Sequence, residues 1–172
     1  HAVLARAGRI GAPPPAAPAP VRFERGAPNE LWQIDFKAFI EADRRRVLRL
    51  LEERKITNPV VITGDIHSNW ANELLTNFDG LSSQSVGTEF VGTSISSGGD
   101  APQESKRSSE ILAENPFVKF HNLERGYVCC AVTPQQWRAD YRTVEYGGRP
   151  GAPINTRASF VVESGRPQLN KA

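Results

Sequence analysis

The run Val60-Val61-Ile62-Thr63 stops at Gly64, and Asp65 and His67 follow within three residues. Apolar residues bounded by a turn signal read as a buried strand, here Pro59 to Thr63. Strand side chains alternate between faces, so Asp65 and His67 point the same way if the extended conformation continues through them. In open α/β sheets, ligands and metals gather just beyond the carboxyl ends of strands. A carboxylate and an imidazole at that place are what a metal-dependent hydrolase would put there.

The segment before this strand reads as a helix from Glu41 to Lys55. Val47, Leu48 and Leu51 supply its packing face, and Arg and Glu fill the rest. Asn58-Pro59 ends it, so helix and strand form an αβ unit. Downstream the pattern predicts strands at Val86–Ser94, Phe117–Asn122, Tyr127–Thr133, Trp137–Tyr146 and Ser159–Glu163. It also predicts a short helix at Ser105–Glu114 and a polar tail from Gly165. Ser96-Ser97-Gly98-Gly99 closes a strand as a loop. It resembles a phosphate cradle but lacks the Lys and the following helix of a P-loop.

Residues 11–20 carry five prolines. Proline fixes φ and removes a backbone donor, so this stretch reads as an extended, disordered arm. Residues 1–38 hold five basic and three acidic side chains, and the whole chain has a formal charge of +2. The remainder is neutral, which argues against broad nucleic-acid binding by the folded part. No apolar run approaches the ~20 residues needed to span a bilayer. No charged segment followed by an apolar stretch marks a signal peptide, which implies a cytoplasmic location if the chain is made. Cys129 and Cys130 are adjacent, poorly placed to pair with each other, and expected in the core. His121 lies in a strand pattern and is expected to be structural.

A hard oxygen beside an imidazole suits Zn, Fe, Mn or a mixed pair. Two such metals would clamp a phosphate and generate a hydroxide nucleophile. The block Asn58-Pro59-Val60-Val61-Ile62-Thr63-Gly64-Asp65-Ile66-His67-Ser68-Asn69-Trp70-Ala71-Asn72 resembles the last metal-binding block of PhoD-type alkaline phosphatases. Further blocks follow in order: Val86 to Gly99, Arg125 to Val128, Trp137 to Arg142 and Ala158 to Val162.

The resemblance runs from about Ala42 to the C-terminus. It implies an α/β (α+β) fold: part of a calcineurin-like metallophosphoesterase β-sandwich with flanking helices. It also implies hydrolysis of phosphate mono- and diesters, iron and calcium as cofactors, and secretion by the twin-arginine route. Asp65 and His67 carry over as metal-site residues, and Asn69 and Arg125 as phosphate contacts or site support. The family's other ligands have no counterpart in this sequence: a cysteine near the first strand, a Gly-Asp block with a following tyrosine, and an asparagine block. Phe117 stands where the family usually has a histidine. The resemblance therefore predicts a chain with half its metal site, inactive alone. Its open sheet edges would favour aggregation or self-association.

Residues 22–37, Arg-Phe-Glu-Arg-Gly-Ala-Pro-Asn-Glu-Leu-Trp-Gln-Ile-Asp-Phe-Lys, resemble the entry to an integrase-core transposase domain. Leu31–Phe36 reads as a strand, and Asp35 would match the first carboxylate of that family's metal-binding triad. This gives a division at residues 1–38 and 39–172, with a junction near Phe39 of the kind left by a mobile element or an assembly artefact. The alternative functions are a DNA-binding transposase remnant and a non-functional fusion product.

Overall fold

The computed structural model describes residues 40–78 and 83–172, with side chains from Arg44 onward. The Pro-rich arm, the Leu31–Phe36 strand and Asp35 lie outside the described residues. Residues from Ala42 onward form one compact unit.

Helix α1 spans Ile40–Glu53. Its end is set by two backbone bonds, Lys55 N to Glu52 O at 3.0 Å and Ile56 N to Leu51 O at 3.0 Å. Lys55 stands in the left-handed region at φ 49. These are the paired closing bonds of a Schellman cap, made without the usual glycine. Leu48 is buried, but Val47 is 54% exposed. The expected packing face is therefore only partly used, and the arginine-rich side carries an apolar member.

Strand β1 follows at Val60–Thr63, then β2 at Asn69–Leu75 and β3 at Ser85–Val91. Helix α2 covers Lys106–Glu114. Its cap is reciprocal: Ser108 N donates to Ser105 Oγ, and Ser105 N donates to Ser108 Oγ. Two orphan donors of the first turn are thereby satisfied. The remaining strands are β4 (Val118–Asn122), β5 (Arg125–Val132), β6 (Gln136–Val144), β7 (Ile154–Glu163) and β8 (Arg166–Lys171).

The strands form two four-stranded sheets, ordered β1-β3-β2-β4 and β5-β6-β7-β8. In the first, β1 and β3 run parallel, while β2 runs antiparallel to both of its neighbours, β3 and β4. The second is an antiparallel meander. Ala71 and Phe90 from the first sheet meet Ala139, Tyr141, Ala158, Phe160 and Val162 from the second, making one core between two layers. Phe120 lies 4.8 Å from Tyr141 and 5.9 Å from Phe160 between ring centroids. The Tyr141 hydroxyl donates to the Trp70 carbonyl, which ties the sheets together at their centre. The fold is the flanked β-sandwich that the resemblance implies.

One strand goes unread in the sequence and two expectations are corrected. Asn69–Leu75 is a strand that its composition conceals, because Asn, Glu and Leu carry weak strand preference. The polar tail is strand β8, whose Pro167 and alternating exposure suit a sheet edge. Cys129 and Cys130 are free and exposed, not in the core: they lie on β5, which among the described residues pairs on one side only, with β6. Among the described residues, no helix is long and apolar enough to cross a membrane.

Candidate functional site

Because β1 and β3 run parallel, the chain leaves both at the same end of the sheet. There Gly92 N donates to Thr63 O at 2.9 Å. The antiparallel strand β2 begins at this end, and β4 finishes there, with Asn69 opposite Asn122. Loops 64–68, 92–100 and 123–124 therefore converge on one rim, just beyond the strand ends where open sheets bind ligands.

Asp65 and His67 lie on this rim and both are exposed. The extended conformation does not reach them: β1 stops at Thr63, and both residues sit in the left-handed region, at φ 70 and φ 58. Ile66 N donates to Gly64 O at 2.9 Å, which makes Asp65 the centre of a three-residue turn. With positive φ at its centre this turn is the rare, strained form. A non-glycine residue held there costs about 1–3 kcal/mol, and such strain persists only where the surroundings enforce it. The alternation argument is thus corrected. A strained turn, not a continuing strand, displays the carboxylate and the imidazole.

The enforcing group is Arg125, which is 9% exposed. Its Nη1 donates to His67 O at 2.9 Å and to Leu123 O at 3.3 Å, and its Nε donates to Gly99 O at 2.9 Å. One guanidinium binds all three loops of the rim from beneath. Glycine at 98 permits this approach: φ is +86, and a Cβ there would fall 2.8 Å from Arg125 Nη2. Gly126 is equally constrained, because a Cβ would fall 1.9 Å from the Arg142 carbonyl oxygen. These contacts direct the guanidinium inward as a brace.

Asn69 is 1% exposed and also turned inward. Its Nδ2 donates to Asn122 Oδ1 at 3.0 Å and to Glu124 O at 3.2 Å, while its Oδ1 accepts from Thr93 N at 3.1 Å. Asn122 Nδ2 donates to Glu124 Oε2 at 2.9 Å, and Arg157 grips both Glu124 oxygens at 2.6 and 2.7 Å. The hydrogen-bonded Glu124 carboxylate raises the Arg157 pKa further. A buried carboxylate needs such full pairing to be tolerated.

Sequence reasoning singled out Asn69 and Arg125 but missed Asn122, Glu124 and Arg157. The polar run Asn122-Leu123-Glu124-Arg125 between two strands was the available signal. A second carboxylate holds the rim from the side. Asp100 accepts from Gly147 N at 2.7 Å and Gly148 N at 2.9 Å, and those two bonds lower its pKa.

His121 is buried and packs on Trp70, with ring centroids 4.1 Å apart. Burial lowers its pKa. It stands inside the fold, away from solvent, as a structural histidine does.

Asp65 and His67 offer a hard oxygen and an imidazole, the right donor types for iron, with the carboxylate also suited to calcium. Among the described residues, however, no three His, Cys, Asp or Glu side chains come together to hold an ion. The two donors do not by themselves fit a two-metal centre.

The sequence model of the PhoD-like phosphatase family matches residues 21–141, a span that takes in the whole stretch 22–37 resembling a transposase. Alkaline phosphatase D of Bacillus subtilis (strain 168) is 47% identical over 143 residues, covering 83% of this chain and 24% of the relative. A solved structure of PhoD superposes with a TM-score of 0.73 at 46% identity, over 77% of this chain and 25% of that one. The chain thus spans about a quarter of the length of each.

Proposed function

The chain belongs to the PhoD-like phosphatase family, and we propose that it forms one wall of the centre of a metal-dependent phosphate ester hydrolase. In this reading Asp65 and His67 are metal donors, Arg125 and Asn69 hold their loop, and the substrate is a phosphate mono- or diester. Support comes from the one observation that a strained, exposed Asp-Ile-His turn sits beyond a parallel strand and is braced by a buried guanidinium. Strain of this kind concentrates at functional sites. The metals of the reading are the family's iron and calcium, with the remaining ligands drawn from the part of the relatives that this sequence does not span. In this reading the working protein is exported by the family's twin-arginine route and acts outside the cytoplasm. A transposase remnant is not favoured, since the matched relatives are phosphatases.

The test is a covalent chimera in which this chain replaces the aligned quarter of the Bacillus relative. We expect bound iron and turnover of p-nitrophenyl phosphate, both reduced by at least an order of magnitude in Asp65→Ala and His67→Ala. A folded chimera whose metal content ignores both substitutions overturns the reading. The 172-residue chain alone is expected to show no turnover sensitive to His67→Ala.

A further inference from the structure

We infer that the Arg157–Glu124 ion pair is a positioning device for the Asp65–His67 turn, acting through residues 122–125 rather than on any ligand of its own. The inference rests on the functional reading above and adds two positioning residues to it.

Both braces of the turn come from one short segment. Arg125 holds the turn by the His67 carbonyl, and the same Nη1 also holds Leu123 O. Asn69, two residues past His67, donates to Asn122 Oδ1 and to Glu124 O, and its Oδ1 accepts from Thr93 N. Gly126 N, next along, donates to Ser94 O at 3.1 Å. Residues 122–125 therefore grip the chain on both sides of the imidazole, at 67 and at 69. Whatever fixes this segment fixes the turn.

The segment connects β4 of the first sheet to β5 of the second, and Arg157 of β7 anchors it at Glu124. The carboxylate accepts from Arg157 Nε at 2.6 Å and from Nη2 at 2.7 Å. Its Oε2 also accepts from Asn122 Nδ2, inside the segment. Two parallel bonds fix orientation as well as distance. The backbone of β7 is shaped for this contact. Tyr141 pairs with Ala158 and Arg142 pairs with Thr156, so Arg157 is the extra residue of a β-bulge. Bulges re-aim a side chain, and they concentrate next to functional sites.

Stability alone does not account for the pair. The Glu124 side chain is 8% exposed and that of Arg157 30%. Desolvating two charges offsets much of their attraction, and apolar residues of similar volume often serve a fold as well. What apolar residues cannot supply is a fixed direction between β7 and the segment that carries Arg125.

The experiment is amide hydrogen exchange on the full chain carrying Glu124→Leu with Arg157→Met, which removes both charges together and orphans neither. Glu104 and Glu145, the other carboxylates that act on Arg157, are exposed and stay solvated. We expect urea unfolding to remain near that of the parent chain. Exchange of the Ile66 and Thr93 amides should rise by roughly tenfold more than that of the β6 amides, about the worth of one hydrogen bond. Arg157→Lys keeps the charge but loses the fork, and should loosen the same two amides to a smaller degree. In the covalent chimera, removing the pair should lower kcat for p-nitrophenyl phosphate by roughly tenfold with KM unchanged, the scale of residues that support a metal site from behind.

Uniform acceleration across both sheets would show a pair that only stabilises the fold, and overturns the inference. So does parent-like exchange at Ile66 and Thr93 in the doubly substituted chain. If that chain does not fold, Arg157→Lys decides, and parent-like exchange of both amides in it overturns the inference. An active chimera indifferent to loss of the pair overturns this inference and leaves the functional reading standing. A folded chimera without bound metal overturns the functional reading, whereas exchange in the chain still decides whether the pair sets the turn.

Discussion

The Arg125 guanidinium donates to the backbone carbonyl of His67 at 2.9 Å, across 58 residues of sequence. The contact acts on main chain, so it fixes where His67 sits without consuming its imidazole. The same guanidinium holds the Gly99 carbonyl. A lysine at this position has one point-like head and cannot span both carbonyls.

Arg125→Lys should therefore lower the free energy of unfolding by about 2 kcal/mol, the scale of lost charge-assisted hydrogen bonds. The sharper readout is local. Exchange of the Ile66 amide, bonded to Gly64 O in the strained turn, should accelerate more than that of the β6 and β7 amides. Equal acceleration everywhere would mean that Arg125 stabilises the whole fold and has no particular hold on the turn.

Tyr141 carries the tie between the sheets. Burial raises its hydroxyl pKa well above the usual phenol range, so it remains a donor at any working pH. Tyr141→Phe should cost about 1 kcal/mol, the typical net worth of one hydrogen bond. The loss should be constant between roughly pH 6 and 9, well below phenol ionisation. Urea unfolding of both proteins across that range checks this; a cost that changes with pH contradicts it.

Thr88 is fully buried on β3, and its hydroxyl has no hydrogen-bond partner among the described residues. Valine is nearly the same shape without the desolvated group. Thr88→Val should stabilise by about 1 kcal/mol, raising the midpoint of thermal unfolding by roughly 2–4 °C. A lower midpoint would show that the hydroxyl is satisfied in solution.

His121 gives stability a pH dependence of predictable sign. Its native pKa is lowered from the ordinary 6.5 by burial, against a smaller opposing pull from Glu104. Between the native and unfolded values, the unfolded chain binds more protons. The contribution is full above about 6.5 and fades as pH falls towards the native value. His121→Phe should flatten the stability profile between roughly pH 7 and 5. Chemical denaturation at both pH values measures the slope, and an unchanged slope rules His121 out as its source.

Much of this architecture can be read from periodicity. The Val60–Thr63 run, the α1 pattern and the four strands from Phe117 to Glu163 are local signals, and the observed elements overlap each of them, although β7 begins at Ile154, well before the expected Ser159. The failures share a cause, since each depends on residues distant in sequence. Asn69–Leu75 becomes a strand because β3 and β4 flank it on both sides. The cysteines are exposed because, among the described residues, the second sheet ends at β5. The left-handed turn at Asp65 and His67 is held by a guanidinium whose role no local pattern discloses. The chemistry of the rim was legible as residue types, whereas its geometry depended on the long-range brace.

Asn58, on the approach to β1, takes a left-handed φ of 60. Its side chain donates to Ser164 Oγ and accepts from Gly165 N, in the turn joining β7 to β8. The entry to β1 is thus latched by the last hairpin of the chain, more than 100 residues later. During synthesis the latch cannot close until the C-terminal hairpin has left the ribosome, whereas the β5–β6–β7 meander can pair as it emerges. The approach to β1 is therefore fixed late, after the β5–β6–β7 meander, whereas the Asp-Ile-His turn is held by the Arg125 guanidinium that β5 brings with it.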